Sequence, residues 1–201
     1  MPKETNDCPF CRMDESNIWN TVLYETRHFK VIPAVGSLVD GYIIVISKRH
    51  ISSMTELDNY ERCEYSDLVM RFRDVFKSIY GRYPMVFEHG SPDEIFGRAS
   101  SVDHAHVHIV NHRFKDEETL IGELNLERAK SLENLQSKKN YIMYMSPDGI
   151  VYVTYKFEPK SQLMRIKIAD DLKLGEKFDW RRERFDENIK STVDKIQKYL
   201  E

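Results

Sequence analysis

His104-Ala105-His106-Val107-His108-Ile109-Val110 is the stretch that decides the reading of this chain. Side chains alternate faces along a β-strand. Residues 103–110 read as such a strand. His104, His106 and His108 then project from one face, while Ala105, Val107 and Ile109 pack on the other. Three imidazoles on one face are a costly way to build a half-exposed strand. They offer nitrogen ligands and groups that change protonation near neutral pH. Two chemistries follow from the spacing alone, and both stay open here. The three histidines bind one catalytic metal, or the central one acts as a nucleophile while its neighbours orient a phosphate and handle protons.

Outward from this stretch, the N-terminal half alternates strand and helix signals. Residues 21–24 and 29–32 read as short strands, and residues 41–47 as a strong one by their β-branched content. Residues 55–80 carry helical spacing through Leu57, Leu68, Phe72, Val75, Phe76 and Ile79. A strand over 85–88 and a polar loop over 90–101 lead into the histidines. In the C-terminal half, residues 115–139 are charged and helical in part. Residues 141–145 and 150–157 flank Ser146-Pro147-Asp148-Gly149, a hairpin signal. Helices are expected over 161–172 and 186–200, the last with Ile189, Val193, Ile196 and Leu200 on one face.

The 201 residues and 41% hydrophobic content suit one packed domain with an elaborated end. Thirty basic and 33 acidic residues nearly cancel, leaving a formal charge of −3. That excludes a protein built to coat DNA, which would be strongly basic. A local basic pocket for one nucleotide remains compatible with it. No apolar run approaches the roughly 18 residues of a membrane span. The N-terminus lacks the apolar core of a signal peptide, and three cysteines do not form a disulfide framework. A reducing cytoplasm is the expected compartment.

Cys8-Pro9-Phe10-Cys11 is a C-x-x-C pair. By itself it is open between a zinc knuckle, a redox pair and coincidence. Redox use fits poorly, because that pair normally follows a strand and opens a helix. Cys63 falls within the long helical segment and reads as a packing residue.

HAHVHIV resembles the signature of the histidine triad (HIT) superfamily, in which histidines alternate with apolar residues. Residues 31–51, ending in Lys48-Arg49-His50, resemble the strand–turn–strand of that family, and Ser101 matches the serine three residues before the triad. The resemblance covers about residues 8–113. It implies an α+β fold with a mainly antiparallel sheet and a long helix in a catalytic domain over 1–113. Residues 114–201 then form a hairpin-and-helix extension packed on the same domain.

The resemblance further implies a nucleotide hydrolase acting at the α-phosphate of a nucleoside 5′-phosphate derivative. Such a substrate is a dinucleoside polyphosphate or a nucleoside phosphoramidate. His106 would be the nucleophile and form a nucleotidyl-histidine intermediate. His108 would contact the phosphate, and Ser101 a phosphate oxygen or the leaving group. Ser100, Glu88, His89, Gln162 and Arg165 are the candidate substrate contacts. Cys8, Cys11, His50 and His104 would bind a structural zinc ion. Alternatives within the resemblance are a nucleotidyltransferase or phosphorylase, and a nucleotide-binding regulatory protein without turnover. Tyr42 departs from the pattern, since a histidine usually stands there. Small family members form homodimers through the long helix and the sheet edge. A homodimer is therefore expected here only if the extension leaves that surface open.

Overall fold

The computed structural model describes residues 8–14, 16–92, 102–132, 135, 138–158 and 160–201. Eight strands form one sheet: β1 (Tyr24–Glu25), β2 (Phe29–Pro33), β3 (Tyr42–Ser47), β4 (Met85–Gly90), β5 (His106–Val110), β6 (Glu127–Arg128), β7 (Tyr141–Met145) and β8 (Val151–Thr154). Their spatial order is β1-β2-β3-β5-β4-β7-β8-β6, and each neighbouring pair is antiparallel. Among the described residues, four α-helices complete the fold: α1 (Asn59–Tyr80), α2 (Glu117–Glu123), α3 (Leu163–Asp171) and α4 (Asp186–Leu200).

The sheet is covered on both faces, which explains why β3 is buried at all six positions and reads as an unbroken apolar run. On one face, Val31, Ile43, Val45, Val86, Val107 and Ile109 pack with Phe72 and Phe76 of α1 and Ile196 of α4. On the other, Ile32, Ile44, Phe87, Ile142 and Tyr144 pack with Leu120 of α2 and with Met164 and Ile168 of α3.

Local chemistry sets the element ends. The helical spacing starts at residue 55, but α1 starts at Asn59. Asp58 accepts hydrogen bonds from the Tyr60 and Glu61 amides, and Glu61 reaches back to the Asp58 amide. Met54–Glu56 is a separate 3-10 turn. Gly81 ends α1 in the left-handed conformation. Cys63, expected to pack, is exposed on α1. The turn between β7 and β8 is fastened by buried Arg73 of α1, which donates to the carbonyl oxygens of Pro84, Ser146 and Pro147.

Two features of the topology position the site. The edge of β4 away from β5 is occupied by β7, so the sheet runs from the first half of the chain into the second. The polar tip between β2 and β3 is anchored to α4, where Ser191, Thr192 and Lys195 all bond Asp40. No described helix is long and apolar enough to cross a membrane.

Candidate active site and metal-ligand cluster

β5 begins at His106, three residues later than the sequence reading of 103–110. His106 and His108 share one face of the sheet. His104 precedes the strand and turns elsewhere. Its Nε2 lies 2.6 Å from the carbonyl oxygen of Ser47, to which it donates. Its Nδ1 is therefore the free lone pair, and it faces the cysteines: 3.3 Å from Cys8 Sγ and 3.6 Å from Cys11 Sγ. His50 Nδ1 lies 3.2 Å from Cys11 Sγ. One donor atom from each of Cys8, Cys11, His50 and His104 falls within 4.8 Å of every other. A tetrahedral zinc ion with sulfur at about 2.3 Å and nitrogen at about 2.1 Å separates its ligands by roughly 3.5 Å. The donor set and its spacing fit such an ion, and the Ser47 carbonyl orients His104 as a ligand needs.

The loop that bears the cysteines also bears Phe10. Its ring meets His104 edge-on at 5.6 Å between centroids and His106 at 5.3 Å. The metal-ligand cluster and the central histidine thus share an aromatic wall.

His106 Nδ1 lies 2.6 Å from the carbonyl oxygen of His104. A carbonyl only accepts, so Nδ1 carries the proton and Nε2 carries the lone pair. Burial holds the ring below the ordinary imidazole pKa, which keeps that lone pair at neutral pH. His108 stacks on Phe87, 4.3 Å between centroids and 11° between planes. Its Nδ1 lies 3.0 Å from the Tyr42 hydroxyl. Burial, with the neighbouring His106, His89 and Arg165, pushes the His108 pKa well down.

These histidines line a cavity of about 340 Å³. Its walls come from distant parts of the chain: Phe10, Arg12 and Trp19 from the N-terminal segment, Ile32 and Ile44 from the sheet, and Arg165, Trp180 and Arg184 from the C-terminal segment. Arg184 lies over the Trp19 ring at 4.7 Å and Arg181 over Trp180 at 5.1 Å. An apolar floor with tryptophan and arginine walls suits a planar base joined to phosphate. Sequence periodicity gave no hint of Arg12, Trp19 or Arg184, because they meet only through tertiary structure.

The candidate substrate contacts separate into groups. His89 lines the cavity on the same face as Phe87 and His108, and its Nε2 has no hydrogen-bond partner among the described residues. Desolvation, with His106 nearby, lowers its pKa to about 3, so the ring is neutral. Arg165 also lines the cavity; its Nε and Nη2 donate to the carbonyl oxygens of Phe178 and Gly36. Gln162 reaches the cavity wall, but its amide is committed to the Asp179 carboxylate and the Trp180 backbone amide.

Glu88 is a correction. It is 1% exposed on the opposite face of β4, because strand alternation sends it away from Phe87 and His89. Its carboxyl accepts from the Met54 amide at 2.8 Å and the Tyr141 hydroxyl at 2.6 Å. It belongs to the core beneath the site and not to the cavity. Ser100 and Ser101 lie outside the described residues. His28 pairs with Glu64, and His112 is buried beside Asp171, so both take structural places.

The family model described as "Scavenger mRNA decapping enzyme C-term binding" matches residues 7–120. An uncharacterized HIT-like protein of Methanocaldococcus jannaschii is 26% identical over 104 residues, 51% of this chain and 77% of its own. A zinc-bound histidine triad family protein from Mycobacterium smegmatis superposes with a TM-score of 0.43 at 20% identity, covering 55% of this chain and 78% of its own. A hypothetical protein from Leishmania major superposes with a TM-score of 0.44 at 19% identity, covering 59% of this chain and 93% of its own. The matched segment takes in the cysteine pair, His50 and all three triad histidines. The chain belongs to the scavenger mRNA decapping enzyme C-terminal family, within the HIT superfamily.

Proposed function

We propose that this chain is a nucleotide hydrolase that cleaves at the α-phosphate of a nucleoside 5′-phosphate derivative. The observation that carries the reading is the bond from His106 Nδ1 to the His104 carbonyl, which leaves a Nε2 lone pair at a basic, aromatic cavity. His106 Nε2 attacks the α-phosphorus; a P–N bond forms and the P–O or P–N bond to the leaving group breaks. Water then adds to phosphorus, breaks the bond to His106 and releases a nucleoside monophosphate. Phosphoryl transfer of this kind needs in-line positioning and charge stabilisation above all. His108, His89 and Arg165 would hold phosphate oxygens, and Trp19 or Trp180 would face the base.

Cys8, Cys11, His50 and His104 would hold a structural zinc ion. That ion would stabilise the N-terminal loop and, through the His104 carbonyl, fix the ring of His106. Four protein ligands leave no open position for substrate, so the phosphate chemistry falls to the histidines. With β4 paired to β7, a homodimer through that sheet edge would have to displace a strand of the chain itself. We therefore take a single chain to be the acting unit.

Three arginines and Arg165 beside the cavity favour a polyanionic substrate such as a dinucleoside polyphosphate. The matched family's description is that of an mRNA decapping enzyme, which places capped dinucleotides among the compounds to try. The test is incubation with diadenosine polyphosphates, a capped dinucleotide and adenosine phosphoramidate, with chromatography of the products. Release of a nucleoside monophosphate that depends on His106 supports the proposal. Tight binding with no turnover of any of them would leave a nucleotide-binding protein instead.

A further inference from the structure

Neighbouring histidines of β5 meet different hydrogen-bond partners at Nδ1. His106 Nδ1 faces a carbonyl, which only accepts. His108 Nδ1 faces the hydroxyl of Tyr42, which can do either. The surroundings of Tyr42 decide between them. The residue is 0% exposed, so its proton must find a partner within the protein. Among the described residues, His108 Nδ1 is the acceptor within hydrogen-bond distance of that hydroxyl, at 3.0 Å. The other polar neighbour is Arg165, whose guanidinium carbon lies 5.5 Å from the Tyr42 ring centroid and whose charge acts on the phenol oxygen. A guanidinium has donors and no acceptor. It draws the lone pairs of the phenol oxygen towards itself and turns the O–H towards the histidine.

From this we infer that Tyr42 is a positioning residue that locks His108 as the Nε2–H tautomer, making it a hydrogen-bond donor to the phosphoryl group. The inference rests on the proposed reaction for its consequence, but not for its geometry. Neighbouring imidazoles then do complementary work. His106 presents a lone pair, and His108 presents an N–H. No proton has to move between them before attack.

The relay also gives the C-terminal half of the chain a role in the triad. Arg165 sits on α3 and is held by the carbonyl oxygens of Gly36 and Phe178. Its placement depends on Gly36, where an added Cβ would fall 2.7 Å from Arg165 Nη2. The order of donation runs from α3 through Tyr42 on β3 to His108 on β5. Phe87, stacked on His108, keeps the ring in the plane that this bond requires.

The test is the long-range 1H–15N spectrum of histidine side chains in the 201-residue chain, with His108 assigned by its loss in His108→Asn. Wild type is expected to show His108 with a protonated Nε2 and an unprotonated Nδ1. In Tyr42→Phe the ring should lose this preference and show an averaged Nδ1 shift. Its kcat should fall roughly tenfold or more, with KM changed far less. Should Tyr42→Phe not fold, 3-fluorotyrosine labelling, which makes the phenol a stronger donor, should move the His108 Nδ1 resonance. A wild-type His108 protonated at Nδ1 would overturn the inference, as would a resonance indifferent to both changes. The tautomer is read without any substrate. Absence of turnover would therefore count against the proposed reaction and leave this result standing.

Discussion

The Nδ1 of His106 lies 2.6 Å from the backbone oxygen of His104, a residue whose own side chain faces Cys8 and Cys11. One residue thus serves two sites, its imidazole belonging to the candidate metal-ligand cluster and its carbonyl bonding the proposed nucleophile. Disturbance of the cluster should be felt at His106 through at most a few bonds.

Metal removal is the first consequence. Wild-type protein should carry about one zinc ion per chain, and Cys8→Ser should lose most of it, with a fall in thermal stability. Elemental analysis and a melting curve check both. Phe10 touches His104 and His106, so nucleotide affinity should weaken as well. Carefully purified wild-type protein without zinc would remove the metal assignment.

Gly36 should tolerate no side chain. Its φ is +70°, and a Cβ would fall 2.7 Å from both Arg165 Nη2 and Trp180 Cβ. Gly81 has a similar φ of +74° with open space around it. Gly81→Ala should therefore cost about 1 kcal/mol of stability, the strain alone. Gly36→Ala should cost roughly 2–4 kcal/mol, because a packing clash is added. Gly36→Ala should also raise KM by displacing Arg165. Equal losses in the two variants would show that the cavity wall yields freely.

Glu88 predicts a pH dependence. Burial raises its pKa to about 7 from the ordinary 4.5, despite the bonds from the Met54 amide and Tyr141. The folded state therefore binds a proton that the unfolded state has already released between these values. Stability from this group is present in acid and declines as pH rises from about 4.5 through 7, by on the order of 3 kcal/mol in total. Glu88→Gln should flatten this part of the stability curve and leave the His106 chemistry intact. Denaturant midpoints at pH 5 and pH 8 check it; a wild type that gains stability over that range through this residue would contradict the assignment.

Much of this architecture was legible from residue order. The alternation of HAHVHIV places His106 and His108 on one face, and the apolar spacing of Leu68, Phe72, Val75 and Phe76 gives α1. The 186–200 helix matches α4. His104 reads as a strand residue because alternation says nothing of where a strand begins, and the bond its ring donates to the Ser47 carbonyl is non-local. Glu88 reads as a cavity residue by its family position, while strand alternation from Phe87 sends the side chain to the core. Trp19 and Arg184 left no signature, since they meet across 165 residues of chain. Tyr42 was visible only as a departure from a pattern. Its meaning required the positions of Arg165 and His108.

The central claim is that His106 Nε2 forms a covalent bond to the α-phosphorus. It is tested most directly by rapid base-quench of the protein with an α-32P-labelled dinucleoside polyphosphate, followed by peptide mapping at alkaline pH. The account predicts an acid-labile, base-stable label on His106, formed before monophosphate release and absent from His106→Asn and His106→Ala. Turnover that persists in either variant, or label on another residue, would contradict it.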